Sequence, residues 1–207
     1  MTEKNRVPEH YFAETPKSEA KFGLVSTCLR GKPFEFITAS SVFSIKRVDL
    51  GTRILIESMM LPEKGCVLDV GCGYGAVGIA AAAFNRKLHV VLTDVNRRAV
   101  LLARQNADRN KVLNVEVKHG DLYEPVKALT FNCVLSNPPV SAGMKTVEDL
   151  IRGAPAVMAC KATFQMVVRS KIGRKTLPTV FNEAFGNFEV HSIESGYRVL
   201  MAEKTQS

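Results

Sequence analysis

At 207 residues the chain is slightly long for one domain and short for two, and its 46% hydrophobic and 23% charged residues are ordinary globular values. A mean hydropathy of +0.02 and the absence of any apolar run approaching about 18 residues exclude a membrane span. Nothing apolar backs the charges of the opening MTEKNRVPEH, so no signal peptide is read and the expected compartment is the cytoplasm. A net charge of +8 and an isoelectric point near 9.4 favour a polyanionic partner such as RNA. The five cysteines (Cys28, Cys66, Cys72, Cys133, Cys160) form no CxxC pair and have no matching His spacing, which reads as reduced thiols with no metal site.

In chain order, FEFITAS and SVFS read as a short hairpin or extended pair, and Thr52 to Met60 as a helix. LPEKG (61–65) marks a composition boundary. It divides an N-terminal extension, residues 1–60, expected to pack on the rest, from a domain over residues 61–207. The predicted strands are CVLDVG (66–71), HVVLTD (89–94), VEVKHGD (115–121), FNCVLSN (131–137), FQMVVRS (164–170), FEVHSIES (188–195) and YRVLMAE (197–203). Helical patterns fall at Ala76 to Phe84, Asn96 to Asn110, roughly Lys145 to Ala159, and Arg174 to Phe185. In the second of these Asn96 is the expected N-cap, Val100, Leu101, Ala103 and Ala107 form the inner stripe, and Arg97, Arg98, Arg104 and Arg109 stay outside. Near-continuous apolar strands joined by helices imply an α/β fold, a parallel sheet covered on both faces. The last two strands are separated by Gly196 alone and should form an antiparallel hairpin.

The first strand runs into VLDVGCGYGAVGIA, where Gly71, Gly73, Gly75 and Gly78 enter a helix. Glycines let a ligand approach the backbone, and the helix start offers unpaired N–H groups. Gly71, Gly73 and Ala76 also fit the dinucleotide pattern G-x-G-x-x-A, so an NAD-binding oxidoreductase stays open. Asp69 shifts the balance, because a carboxylate beside this turn repels a pyrophosphate and attracts a cation. S-adenosyl-L-methionine carries both a sulfonium and an ammonium. Asp94, ending the next strand, suits the ribose hydroxyls of either cofactor, and Asp121 in HGDLY can meet an adenine amino group.

SNPPV (136–140) ends the fourth strand with two prolines that fix their own φ and push Asn137 out of helical geometry. So mounted, the Asn137 side-chain oxygen and the Pro138 carbonyl can accept both hydrogens of an –NH2 group and turn its lone pair toward an electrophile. In an open α/β sheet the loops after the first and fourth strands face one another across the ligand crevice. The pattern points to amine methylation.

Taken together, VLDVGCGYGAVGIA, TDVNRRA, HGDLYE and SNPP resemble class I S-adenosylmethionine-dependent methyltransferases with the N-P-P signature. SSVFSIKRVDLGTRIL and GYRVL resemble their small-domain branch, which includes the ribosomal RNA small-subunit guanine-N2 methyltransferases. The resemblance implies a Rossmann-like, doubly wound seven-stranded sheet ordered 3-2-1-4-5-7-6 with strand 7 antiparallel. It implies that Asp69 and the Gly71–Gly75 turn hold the methionine part, Asp94 the ribose and Asp121 the adenine region, with Phe43, Asp49, Gly51 and Thr52 covering the cofactor. Two departures stand out. Bacterial enzymes of this type look like tandem copies of a domain present once here, and Val140 replaces the Phe or Tyr that usually follows NPP and can stack on a base.

The resulting expectation is an N-methyltransferase acting on an exocyclic amine, guanine N2 in ribosomal RNA or the small-subunit particle, with Asn137, Pro138 and Pro139 as its catalytic loop. Val140 and Phe43 would meet the base, and Lys145, Arg152, Lys171, Arg174 and Lys175 the phosphates. A protein glutamine N5-methyltransferase is the alternative from another substrate class, since a side-chain amide also presents –NH2. A module that binds the cofactor without turnover is a further one.

Overall fold

The structure is a computed structural model and describes residues 21–40, 42 and 46–205. The elements are β1 (Phe22–Leu29), β2 (Lys32–Ala39), α1 (Leu50–Ser58), β3 (Gly65–Val70), α2 (Ala76–Phe84), β4 (Leu88–Asp94), α3 (Arg97–Arg109) and β5 (Val115–His119). After them come β6 (Phe131–Ser136), α4 (Met144–Gly153), β7 (Met158–Arg169), α5 (Thr176–Phe185), β8 (Glu189–Glu194) and β9 (Tyr197–Glu203). Seven strands form one sheet in the order β5-β4-β3-β6-β7-β9-β8. Counted from β3 this is 3-2-1-4-5-7-6, and β9 is antiparallel to both neighbours while the other pairs are parallel.

Apolar residues cover both faces of the sheet, which is why the central strands read as unbroken hydrophobic runs. Val67, Val90, Leu92, Leu135 and Val167 pack with α1, α2, α3 and the β1–β2 hairpin on one side. On the other, Leu68, Val91, Val134, Phe164 and Val168 pack with α4 and α5, and Phe164, Phe181 and Phe185 stack within 5.7–6.1 Å of one another. Asn96 caps α3 as expected, accepting from the amides of Arg98 and Ala99 at 2.9 and 3.4 Å. The inner stripe differs at one place. Leu101 is 58% exposed and Leu102 is buried, because with Ala99, Ala103 and Asn106 inward the 100° step between residues puts 101 on the opposite side and 102 beside the stripe.

The hairpin corrects the reading of the extension. FEFITA lies in β2, and its partner is FGLVSTCL upstream, paired from Phe22↔Ala39 to Leu29↔Lys32. SVFS, apart from Val42, lies outside the described residues. A two-residue turn at Arg30 and Gly31, with φ of 44° and 76°, closes it in the geometry that matches strand twist. The outer edge of β2 is completed by a helix. Asn106 Oδ1 accepts from Ile37 N at 2.7 Å and its amide donates to Ile37 O at 2.9 Å, while Asn110 does the same with Glu35 at 3.1 and 2.8 Å. Four helical residues rise about 6 Å and two strand residues about 6.7 Å, so the side chains of α3 keep step with the strand.

Two boundaries shift further along. The helix expected over 145–159 stops at Gly153, because Pro155 permits only a short 3-10 turn (Ala154–Val157). Strand β7 then begins at Met158, earlier than the apolar run from Phe164, and carries Lys161 at a φ of 63°. Among the described residues no helix is long and apolar enough to cross a membrane.

Candidate active site

The loops that leave β3, β4, β5 and β6 enclose a cleft of about 360 Å³ at the carboxyl ends of the strands. That volume lies within the range of small-molecule sites. It is lined by Asp69, Gly71, Gly73, Asp94, Asp121, Asn137, Pro139 and Thr52. Eight residues singled out in the sequence thus meet in one place. Tyr74, Ser136, Ala142, Thr146 and Leu150 line it as well, and no local pattern marks the last three.

The glycine turn is held to β4, since the amides of Gly71 and Cys72 both donate to the Thr93 carbonyl, at 2.9 and 3.0 Å. Gly71 and Gly73 have φ of 70° and 58°, and a Cβ on either would meet no atom within 4 Å. They leave an open cradle at the cleft wall. Gly75 lies outside the lining and caps α2 in the left-handed conformation. Asp69 is 1% exposed and accepts from Gly78 N at 2.8 Å. Burial pushes its pKa up to about 7 against that hydrogen bond, with the Asp94 charge adding to the rise. Asp94 is raised too, chiefly by burial, while Asn96 and Gly73 amides at 2.8 Å work the other way. Each of its oxygens keeps a lone pair for a hydroxyl. Asp121 stands exposed at the rim beside Leu122, whose φ is 42°.

Asn137 is oriented by the N-terminal extension. Its Nδ2 donates to Thr52 Oγ1 at 2.9 Å and to Asp49 Oδ2 at 3.3 Å. Asp49 also caps α1 through Thr52 N at 3.2 Å, so the same carboxylate starts the helix and orients the amide. With its –NH2 end bound by the extension, Asn137 lines the cleft and its Oδ1 has no hydrogen-bond partner among the described residues. Asp49 and Thr52 therefore serve the Asn137 loop. Pro139, at φ −75° and ψ 77°, forms an inverse γ-turn in which Val140 N donates to Pro138 O at 2.9 Å. One lone pair on the Pro138 carbonyl is left.

The remaining expected residues fall elsewhere. Val140 is half-buried against the α4–α5 core and does not line the cleft, and neither does Pro138. Phe43 lies outside the described residues. Lys145 and Arg152 are paired with Asp149 and Glu183 at 2.8 and 2.7 Å. Lys171, Arg174 and Lys175 are exposed on the turn after β7, away from the cleft lining.

The sequence profile of the methyltransferase small domain matches residues 33–201. The chain belongs to the methyltransferase small domain family. It is 36% identical over 95% of its length to protein YbxB of Bacillus subtilis (strain 168), 98% of which is covered. It is 31% identical to the ribosomal RNA small subunit methyltransferase C of Erwinia tasmaniensis and 34% identical to that of Shigella boydii, covering 82% of this chain and 49% of each. A T. thermophilus 16S rRNA N2 methyltransferase (RsmC), solved with AdoMet and guanosine, superposes at a TM-score of 0.80 with 25% identity over 91% of this chain and 52% of that one. The chain thus spans about half the length of the methyltransferases C it matches. Members of this family use S-adenosylmethionine, which resolves the choice between sulfonium and dinucleotide that the glycine turn left open. The cleft fits that cofactor on its own terms: an open glycine cradle, a buried carboxylate with no cation paired to it among the described residues, and a second carboxylate with lone pairs free.

Proposed function

We propose that this methyltransferase acts on an exocyclic amino group, the N2 of a guanine in ribosomal RNA. The observation that carries the reading is the fixed Asn137 amide, whose –NH2 is bound by Thr52 and Asp49 so that only its oxygen is offered to a substrate. Its Oδ1 accepts one proton of the amine, the free lone pair of the Pro138 carbonyl takes the other where the substrate reaches just beyond the cleft lining, and the nitrogen lone pair is left to face the cleft. Asp49 behind the amide polarises it and makes Oδ1 a better acceptor. Asp69 and the Gly71–Gly73 cradle hold the methionine part of the cofactor, Asp94 its ribose and Asp121 the adenine edge. The bound cofactor supplies a methyl group on a positively charged sulfur. Orientation and exclusion of water are the work of the protein, and no strong base is required.

The net charge of +8 and the names of the methyltransferase C relatives support RNA as the substrate. The test is methyl-labelled cofactor with ribosomal RNA and small-subunit particles from cells lacking the protein, followed by nucleoside mass spectrometry. Label in N2-methylguanosine is the expected result. Label that survives nuclease, is released by protease and is recovered as N5-methylglutamine instead establishes the glutamine reading.

A further inference from the structure

At the carboxyl end of β7, the neighbour of the strand that carries Asn137, the turn from Ser170 to Lys175 sits over Arg198 of β9. Arg198 is 9% exposed, lies opposite Val168, and donates through Nη2 to the Ile172 carbonyl at 2.7 Å. Its Nε is buried without a partner, and so is the hydroxyl of Ser170. Arg174 is tied to the same turn, its Nε donating to the Ser170 carbonyl at 3.0 Å. Among the described residues none of Lys171, Arg174, Lys175 and Arg198 forms an ion pair, whereas Lys145 and Arg152 are neutralised by Asp149 and Glu183. Burial and the Arg174 charge both act against the Arg198 cation. The fold therefore gathers positive charge around a buried guanidinium, with no carboxylate paired to it among the described residues.

We propose that Arg198, Arg174 and the Ser170–Lys175 turn bind a phosphodiester of the RNA strand that carries the target nucleotide. This rests on the RNA reading above. Arg174, exposed and held through Nε alone, still offers both Nη groups to phosphate oxygens, and the Arg198 guanidinium beneath it adds positive charge. The position suits the role. Ser136 pairs with Met166, so β7 overshoots β6 by a few residues and the turn starts about 10 Å from Asn137, from strand spacing and rise. On the α1 face of the sheet Asp49 touches Asn137, Gly51 lies against the ring of Tyr197, and Arg169, the residue before the turn, stands 5.7 Å over that ring.

The test is fluorescence anisotropy of a labelled single-stranded RNA oligonucleotide over a salt series, with Arg174→Gln, Arg198→Gln and, as a control, Arg152→Gln. Arg174→Gln and Arg198→Gln should each weaken binding about tenfold and flatten the slope of log affinity against log salt by about 0.7 per lost contact. Arg152→Gln should stay within about twofold of the wild type, its charge being already paired. Binding of S-adenosylhomocysteine, followed by calorimetry, should not change. Arg174 is exposed, so its variant carries the test even if Arg198→Gln fails to fold. Wild type and Arg174→Gln binding RNA with equal affinity and slope overturns the site and leaves the RNA reading standing. A wild-type protein that neither binds nor methylates RNA overturns both.

Discussion

The side chain of Asn137 donates to the hydroxyl of Thr52 at 2.9 Å, joining positions 85 residues apart and tying the loop after β6 to the first turn of α1. Asp49 shares the task at 3.3 Å and also caps the helix. Asp49→Ser keeps the cap and is too short to reach the amide. Turnover should fall about tenfold while the affinity for S-adenosylhomocysteine and the melting temperature barely move. Asn137→Ala should cost about 100-fold in turnover. Equal turnover for Asp49→Ser and wild type in a labelled-methyl assay would remove Asp49 from the mechanism.

Asp69, proposed to hold the methionine part of the cofactor, should make cofactor binding depend on pH. Its pKa rises from 3.8 to about 7 on folding, so between those values the folded chain holds a proton that the unfolded chain has lost. Stability from this group therefore falls as pH rises through that window, and the penalty is complete above 7. A cation bound beside it favours the carboxylate and expels the proton. Calorimetry of S-adenosylhomocysteine in buffers of different ionisation enthalpy should show proton release near pH 6, with affinity rising toward pH 8. Asp69→Asn can still accept from Gly78 N, and it should abolish the release and raise the stability of the free protein at pH 8.

Much of this architecture was readable in the sequence wherever one signal dominated. The central strands are apolar on both faces, Asn96 stands before an amphipathic run, and only Ser195 and Gly196 separate β8 from β9. Strand β1 escaped notice because half of it faces outward, and Ser26, Thr27 and Cys28 dilute its pattern. Asp69, Asp94 and Asn137 were legible as chemistry because each ends a strand at the same edge of the sheet. What no local pattern could convey is that Asp49 and Thr52 turn the Asn137 amide, or that Arg198 lies under the turn after β7. Those pairings are set by the sheet order and not by sequence spacing.

Asn106 joins three parts of the molecule, bonding both backbone groups of Ile37 and the carbonyl of Tyr74 at 2.9 Å in the glycine turn. Asn106→Leu fills the same space and leaves these groups unpaired. A loss of about 2–4 kcal/mol is expected, visible as a melting point lower by roughly 5–15 °C. Cofactor affinity should fall as well, because Tyr74 lines the cleft. Asn110→Leu, at the more exposed position, should cost less than half as much. A stable Asn106→Leu with normal cofactor affinity would mean that the hairpin does not depend on α3.

Gly78 is required for close approach. A Cβ there would stand 2.6 Å from Leu92 Cδ1 and 3.1 Å from Asp69 Oδ2. Leu92 is fully buried in the sheet and has no room to retreat, so Gly78→Ala should destabilise by about 1–3 kcal/mol despite the better helix propensity of alanine. The methyl would also press on the carboxylate that accepts from Gly78 N, so cofactor affinity should drop with stability. Leu92→Ala removes both atoms that clash, Cδ1 and Cγ, and tests the cause. In denaturant melts the double variant should be more stable than the sum of the two single effects allows, by about 1 kcal/mol or more. Strict additivity would show that the cost of Gly78→Ala arises somewhere other than this contact.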